Sequence, residues 1–395
     1  MAIRISIYAL GTDDERIADV TLPANKHTII DAMDKAKIFG ETFSHIMECE
    51  AFPELEDIEF IEPPTLDELN FLAKRLEEIS ADKEDITPII ACRALLRKPM
   101  DTIGEAINRT YDLETVPVYP CKDLAEYGEI VLDNEFLEEL KDVPDEVYDL
   151  LDPEKVGRVM AERENGVFID GYYAIADSHE PALVYDEELP EQPENWVFRL
   201  EVTGVPERAE DFHKMKTEIL TLPADEQYMQ DIAEAIGERH IDECVSMKFE
   251  SAIPQINNDI WSMEEIYLLN DIARDFIELS REDAAKFKAA LESEQPQSLD
   301  RIEYIMKYLD NFEFDYMMDR KAYAEEFHAR ILPPNLDKNV FSVCCTDELG
   351  EMILNECNCK YTDYGIISEY GGSLFPNDEA PQQEQNSDFK MGGMS

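Results

Sequence analysis

The apolar positions of this chain fall into short stretches of strand-like and helix-like period. Ile3 to Tyr8 alternates apolar and polar side chains, the period-two pattern of a half-buried strand, and Trp196 to Val202 repeats it. After Leu22-Pro23-Ala24 the period lengthens. Ile29, Ile30, Met33 and Ala36 share one helical face there, as do Met229, Ile232, Ala233 and Ile236 after Leu222-Pro223-Ala224. Phe43 to Cys49 predicts a further strand. The clearest helix starts after Pro63-Pro64, with Thr65 as N-cap and Glu68 at the capping-box spacing. Leu66, Leu69, Ala73, Leu76 and Ile79 form its apolar stripe, while Asp67, Glu68, Glu77 and Glu78 lie off it. Its counterpart has Ser262 as cap, Glu265 in the box, and Ile266, Leu269, Ala273, Phe276 and Ile277 inward. Further helices are predicted near residues 101–109, 122–140 and 153–162. A hairpin follows over 166–176, with Asp170-Gly171 as its turn signal.

These elements recur in order. Leu22-Pro23-Ala24 returns 200 residues on, as do Leu69-Asn70, Ala73 and Ser80. His45-Ile46 with Glu48-Cys49 matches His240-Ile241 with Glu243-Cys244, and Ala125-Glu126 matches Ala324-Glu325. Gly157 and Asp170 match Gly350 and Asp363. Matches that keep their order over both halves predict a tandem duplication. The acidic segment 186–194, with Pro190 and Pro193, reads as an exposed linker between half one (1–185) and half two (195–375). Residues 376–395 read as a disordered tail. The expected fold is α+β: elongated, with two tandem similar halves, each made of small α/β subdomains.

Charge changes the picture most. Among 395 residues, 90 are acidic and 35 basic, a formal net charge of −55. The apolar fraction of 44%, with 18 Phe and 17 Tyr, places that charge on a folded body rather than on a disordered acidic chain. Folding works against such self-repulsion, which makes the charge itself a candidate for function. No apolar run is long enough for a membrane span, and Met1 to Leu10 lacks a signal-peptide pattern. The eight cysteines then read as reduced thiols, and the expected location is cytoplasmic.

Catalytic signatures are missing from the sequence. It has no Gly-rich phosphate loop, G-x-S-x-G or H-E-x-x-H motif, and its six histidines form no triad spacing. Cys344-Cys345 and Cys357-x-Cys359 lack the usual zinc spacing, and half one has no matching cysteines. The expectation is a non-enzyme with no cofactor and no metal. Duplex DNA carries about one charge per 1.7 Å of axis, so 55 charges correspond to about 90 Å of duplex. A compact globule of this length would be roughly 55 Å across. An elongated acidic body could therefore imitate duplex charge density and enter a basic DNA groove.

Leu66-Asp67-Glu68-Leu69-Asn70-Phe71-Leu72-Ala73-Lys74-Arg75-Leu76-Glu77-Glu78-Ile79 resembles the L-x-E-L-N-x-L-A-x-x-L-E-x-L segment of ArdA antirestriction proteins. Lys122 to Tyr127 resembles that family's D-L-A-E helix, and Leu151–Gly157 with Gly166–Tyr172 resembles its C-terminal ending. Half two is similar through Met263–Ala273 and Tyr323–Glu326. The resemblance covers residues 64–173 and, more loosely, 262–367. It implies a curved mimic of B-form DNA that occupies the DNA-binding groove of a type I restriction-modification enzyme. An ordinary member matches one half of this chain and works as a dimer, so this chain is expected as a monomeric pseudo-dimer or a homodimer. Residues 1–60 match no signature of the family. The implied partner-binding acids are Asp67, Glu68, Glu77, Glu78, Asp123 and Glu126, then Glu264, Glu265, Asp271, Asp275, Glu325 and Glu326. The alternatives are an acidic chaperone or adaptor for a basic DNA-processing protein, an inhibitor of another nucleic-acid-targeting system such as CRISPR-Cas, or a hydrolase with an unrecognised carboxylate site. No direct contact with nucleic acid or membrane is expected.

Overall fold

Strand β1 (Ile3–Tyr8) buries Ile3, Ile5 and Ile7 and turns Arg4, Ser6 and Tyr8 from the core, as period-two alternation requires. This computed structural model describes residues 3–9, 16–40, 43–56, 58, 60–140, 144–148, 150–177, 182–186, 188–205, 216–327 and 345–374. The predicted tail from 376 lies outside them. The chain divides into two units, Met1–Asn195 and Trp196–Ser395.

In the first unit β2 (Ile17–Leu22) and β3 (Ser44–Glu48) flank β1, all antiparallel. Helix α1 (Lys26–Lys35) starts at Asn25, whose side chain caps the His27 and Thr28 amides. Next come α2 (Leu66–Ile79), α3 (Thr87–Leu96) and α4 (Ile103–Asn108), which share one core with the sheet. A second sheet, in the order β4-β6-β5, is formed by β4 (Val118–Tyr119), β5 (Val167–Ile169) and β6 (Tyr172–Ala174). Asp170 and Gly171 have φ of +48° and +85°, both left-handed, as a two-residue hairpin turn demands. Beside this sheet lie α5 (Leu124–Asp133), α6 (Asp145–Tyr148) and α7 (Pro153–Glu164). Helices α5 and α7 touch through glycines. A Cβ on Gly157 would sit 2.0 Å from the Leu124 carbonyl oxygen, so only glycine fits. Strand β6 joins the two cores, since Tyr173 packs with Tyr127 and Val131 while Ala174 joins the larger core.

The second unit pairs β7 (Phe198–Thr203) with β8 (Thr217–Leu222) and β9 (Val245–Ser251), in the order β8-β7-β9. Helices α8 (Glu226–Ile236), α9 (Ile266–Glu278), α10 (Arg281–Glu294) and α11 (Leu299–Lys307) follow. Its second sheet, in the order β10-β12-β11, holds β10 (Phe314–Asp315), β11 (Cys359–Thr362) and β12 (Gly365–Ser368). Alongside are α12 (Arg320–Phe327) and α13 (Thr346–Glu356). Here Gly350 of α13 meets the Arg320 carbonyl, to which a Cβ would come within 2.2 Å. A fully buried tyrosine follows three residues after each such carbonyl: Tyr127 and Tyr323. The chain is α+β.

Three sequence readings need correction. The helix predicted over 122–140 ends at Asp133, because Glu135 turns left-handed and a 3-10 turn follows at Glu138–Leu140. Neither β2 nor α3 was predicted. The match of His45–Cys49 to His240–Cys244 does not mark equivalent positions. His45 lies on β3, whereas Ile241–Glu243 form a 3-10 turn ahead of β9. In the sheets themselves Arg4 pairs with Glu48 and Arg199 with Glu250. The described residues of segment 186–194 are mostly exposed and are tied to the first unit. Just before it, the Val184 and Tyr185 amides donate to Asn108 Oδ1 at 2.9 and 2.8 Å. Glu191 then pairs with Lys74, and the Glu194 carbonyl accepts from the Lys26 amide at 2.8 Å.

Candidate acidic surface

Each acidic position nominated from sequence is fixed by the helix that carries it. At the start of α2 the Glu68 amide donates to Thr65 Oγ1 at 3.2 Å, and Glu68 Oε2 accepts from the Thr65 amide at 2.7 Å. Glu68 Oε1 accepts from the Tyr185 hydroxyl. Glu68 is therefore a half-buried capping residue. Asp67 beside it is exposed at its tip. Partial burial raises its pKa, with Lys26 opposing and Glu68 adding. Glu77 and Glu78 are exposed on the last turn, and Glu78 pairs with Arg75.

Asp123 caps α5, accepting from the Ala125 and Glu126 amides at 3.0 Å each. Glu126 is half-buried and accepts from the Lys122 amide at 2.9 Å and from the Lys122 ammonium, which holds its pKa below the usual carboxylate range. In the second unit Glu265 closes a capping box, accepting from the Ser262 amide at 3.0 Å. Asp271 pairs with Arg274 at 3.1 Å, and Glu264, Asp275, Glu325 and Glu326 are exposed. Glu68, Glu126 and Glu265 are thus spent on their own helices. The other nine are exposed, Asp123 while capping α5, and seven of them lie on α2, α9 and α12.

The sequence reading missed further exposed acids: Asp231 on α8, Glu282 and Asp283 on α10, and Glu348 and Glu351 on α13. The signal was present at α10, where Ser280 accepts from the Asp283 amide at 3.1 Å as an N-cap. Part of the acid is already matched by cations, for example Glu154 by Arg158 at 2.7 Å and Glu351 by Arg320 at 3.0 Å. Such exposed pairs contribute little to stability, about 0–1 kcal/mol each.

Other chemistry is sparse among the described residues. No group of three or more His, Cys, Asp or Glu is placed to hold a metal ion. Cys49, Cys92, Cys121, Cys244 and Cys359 are buried, and burial pushes the Cys359 thiol up to about 11. Cys344 lies outside the described residues. His45 sits 5.8 Å from the Phe43 ring, where burial lowers its pKa, and His240 is exposed. A cleft of about 530 Å³ in the first unit is lined by Ile29, Met33, Phe43, Leu66, Asp67 and Glu68 among others. The hydroxyls of Thr65 and Tyr185, which also line it, are both bonded to Glu68. No helix of the described residues is long and apolar enough to cross a membrane. No family model matches the chain, and no curated protein matches it.

Proposed function

We propose that this protein is a non-enzymatic DNA mimic, similar to ArdA antirestriction proteins, that occupies the DNA-binding groove of a host defence enzyme. A type I restriction-modification enzyme is the target the reading names. The observation that carries it is a net charge of −55 on a packed α+β body, with exposed carboxylates on capped helices in both units. Apolar stripes turn inward and leave the acid outside, so the charge is held at fixed positions. Fixed negative charges entering a basic groove release the cations gathered around them and speed encounter, as phosphates do. No covalent step, cofactor or metal is needed for such inhibition.

The same reading includes a tandem duplication, so that one chain supplies two mimic units. The two units share strand order in both sheets. Leu183, Glu188, Pro190, Gln192 and Asn195 also recur as Leu374, Glu379, Pro381, Gln383 and Asn386, all 191 positions on. Two elongated units would together present acid over the length of a duplex site. Inhibition would then be stoichiometric.

The test is competition. A type I methyltransferase bound to labelled duplex is titrated with the full chain, and DNA release is followed by fluorescence anisotropy. The reading expects complete release near one or two chains per enzyme. Binding to the enzyme with DNA retained would instead support an acidic adaptor.

A further inference from the structure

Three tyrosines of the second unit form an exposed aromatic group. Tyr304 and Tyr308 lie one turn apart at the end of α11, with ring centroids 4.6 Å apart. Tyr370 follows β12, its ring 5.9 Å from Tyr304, and its hydroxyl is 3.1 Å from the Tyr304 hydroxyl. Each remains open to solvent, at 38%, 43% and 38% exposure for Tyr304, Tyr308 and Tyr370.

The group is built rather than incidental. Phe312, 1% exposed, meets Tyr370 edge-on at 5.5 Å and ties it to the core. Asn311 Nδ2 donates to the Tyr370 hydroxyl at 2.8 Å, and the Gly371 amide donates to the Asn311 carbonyl at 2.8 Å. Rings held this way lose little conformational freedom when a partner docks. Exposed, rigid tyrosines are the residues that dominate protein interfaces.

Two observations point to what they would take. The guanidinium of Arg301 already lies over the Tyr304 ring, 5.1 Å from its centroid, and is held at its other side by Glu294 at 2.8 Å. The ring therefore accepts a guanidinium in this protein. The surrounding segment 299–313 carries Asp300, Glu303, Asp310 and Glu313 against Arg301 and Lys307, and Glu369 adjoins Tyr370. Negative potential beside electron-rich ring faces favours a flat, weakly hydrated cation over an ammonium.

We propose that Tyr304, Tyr308 and Tyr370 form a docking site for arginine side chains of a basic protein partner. The site is separate from the twelve acids named above. It adds a short-range contact, selective for arginine over lysine, to a surface whose remaining attraction is long-range charge. Long-range attraction is screened at about 0.5 M salt, where the Debye length is only a few ångströms, while ring contacts persist.

The experiment uses the full chain and two ten-residue peptides of equal charge, one alternating Arg and Gly, the other Lys and Gly. Binding is measured by calorimetry at low salt and at about 0.5 M salt. At high salt the unaltered protein should prefer the arginine peptide by about fivefold. Tyr304→Phe with Tyr308→Phe keeps the ring faces and should keep most of that preference. Tyr304→Leu with Tyr308→Leu should abolish it, and Tyr308→Leu alone, which removes no described side-chain hydrogen bond, should reduce it without loss of folding. Equal binding of both peptides by the unaltered protein, or a preference that survives the leucine variants, would overturn the proposal.

Discussion

The Asn70 side chain holds both backbone groups of Ala24, donating to its carbonyl at 3.0 Å and accepting its amide at 2.7 Å. Asn270 does the same to Ala224, at 3.0 and 2.8 Å. Each asparagine projects from the helix behind the capping box of its unit, is nearly fully buried, and clamps the turn that enters the first helix. No other side chain of similar size offers one donor and one acceptor in that geometry. Asn70→Ala would take these partners from the part-buried amide and carbonyl of Ala24, at up to about 1–3 kcal/mol for each group. Urea unfolding should show a lowered midpoint, and Asn270→Ala should show a smaller loss, because Arg274 still donates to the Ala224 carbonyl at 3.3 Å. A midpoint unchanged in both variants would contradict the clamp.

Helix contact through glycine gives a second expectation. Gly157→Ala and Gly350→Ala each place a methyl group about 2 Å from a backbone oxygen, Leu124 and Arg320 respectively. Backbone cannot yield as a flexible side chain does. Each substitution should cost about 1–3 kcal/mol or more. Hydrogen exchange should report the loss first in α5 and α7 for Gly157, and in α12 and α13 for Gly350. Fast exchange spread evenly over the chain would argue against local packing as the cause.

Acid sensitivity of the first unit should centre on Glu54. Burial opposes its ionisation. Hydrogen bonds from Arg93 and Arg97 nevertheless outweigh that and hold its pKa below the usual carboxylate value. A depressed folded-state pKa contributes stability above the unfolded value, and that stability is lost as pH falls through the folded one. The urea midpoint should therefore fall between neutral pH and pH values below the usual carboxylate range. Glu54→Gln should lower the neutral-pH midpoint and flatten that dependence. A variant with the same slope as the parent would show that other carboxylates govern it.

The nominated acids should separate into two kinds. Glu68→Ala removes a cap and the Tyr185 contact, so it should cost about 0.5–2 kcal/mol of stability while leaving partner affinity almost unchanged. Single neutralisation of Asp67, Glu77 or Asp275 should change neither by much, because binding energy is spread over many charges. Neutralising four or more exposed acids together should weaken inhibition. Full inhibition after loss of all nine exposed acids would remove these positions from the surface.

How much of this was legible depended on whether local signals were one-sided. The start of the 66–79 helix was readable, since Thr65, Glu68 and the Leu66-Leu69-Ala73-Leu76 stripe agree with one another. The Asp170-Gly171 turn was equally plain. Helix α3 was not, because Ile90-Ala91-Cys92-Arg93-Ala94-Leu95-Leu96 is buried on every side and shows no polar face. Its one charge, Arg93, is hidden by pairing with Glu54 and Asp170, which lie 39 and 77 positions away. The linker-like composition of 186–194 gives no sign of its distant partners Lys74 and Lys26, which no local pattern reveals. The exposed acids could be assigned to helices, whereas the capping duty of Glu126 became visible only with the Lys122 amide in place.

Charge mimicry is tested most directly by salt. Affinity of the full chain for a type I methyltransferase should be measured by competition against duplex over about 50–300 mM salt, beside the affinity of the duplex itself. The account predicts a straight, steep fall of log affinity with log salt, close to the slope for DNA. It also predicts a shallower slope when the exposed acids of one unit are neutralised. Tight displacement that is indifferent to salt would contradict it.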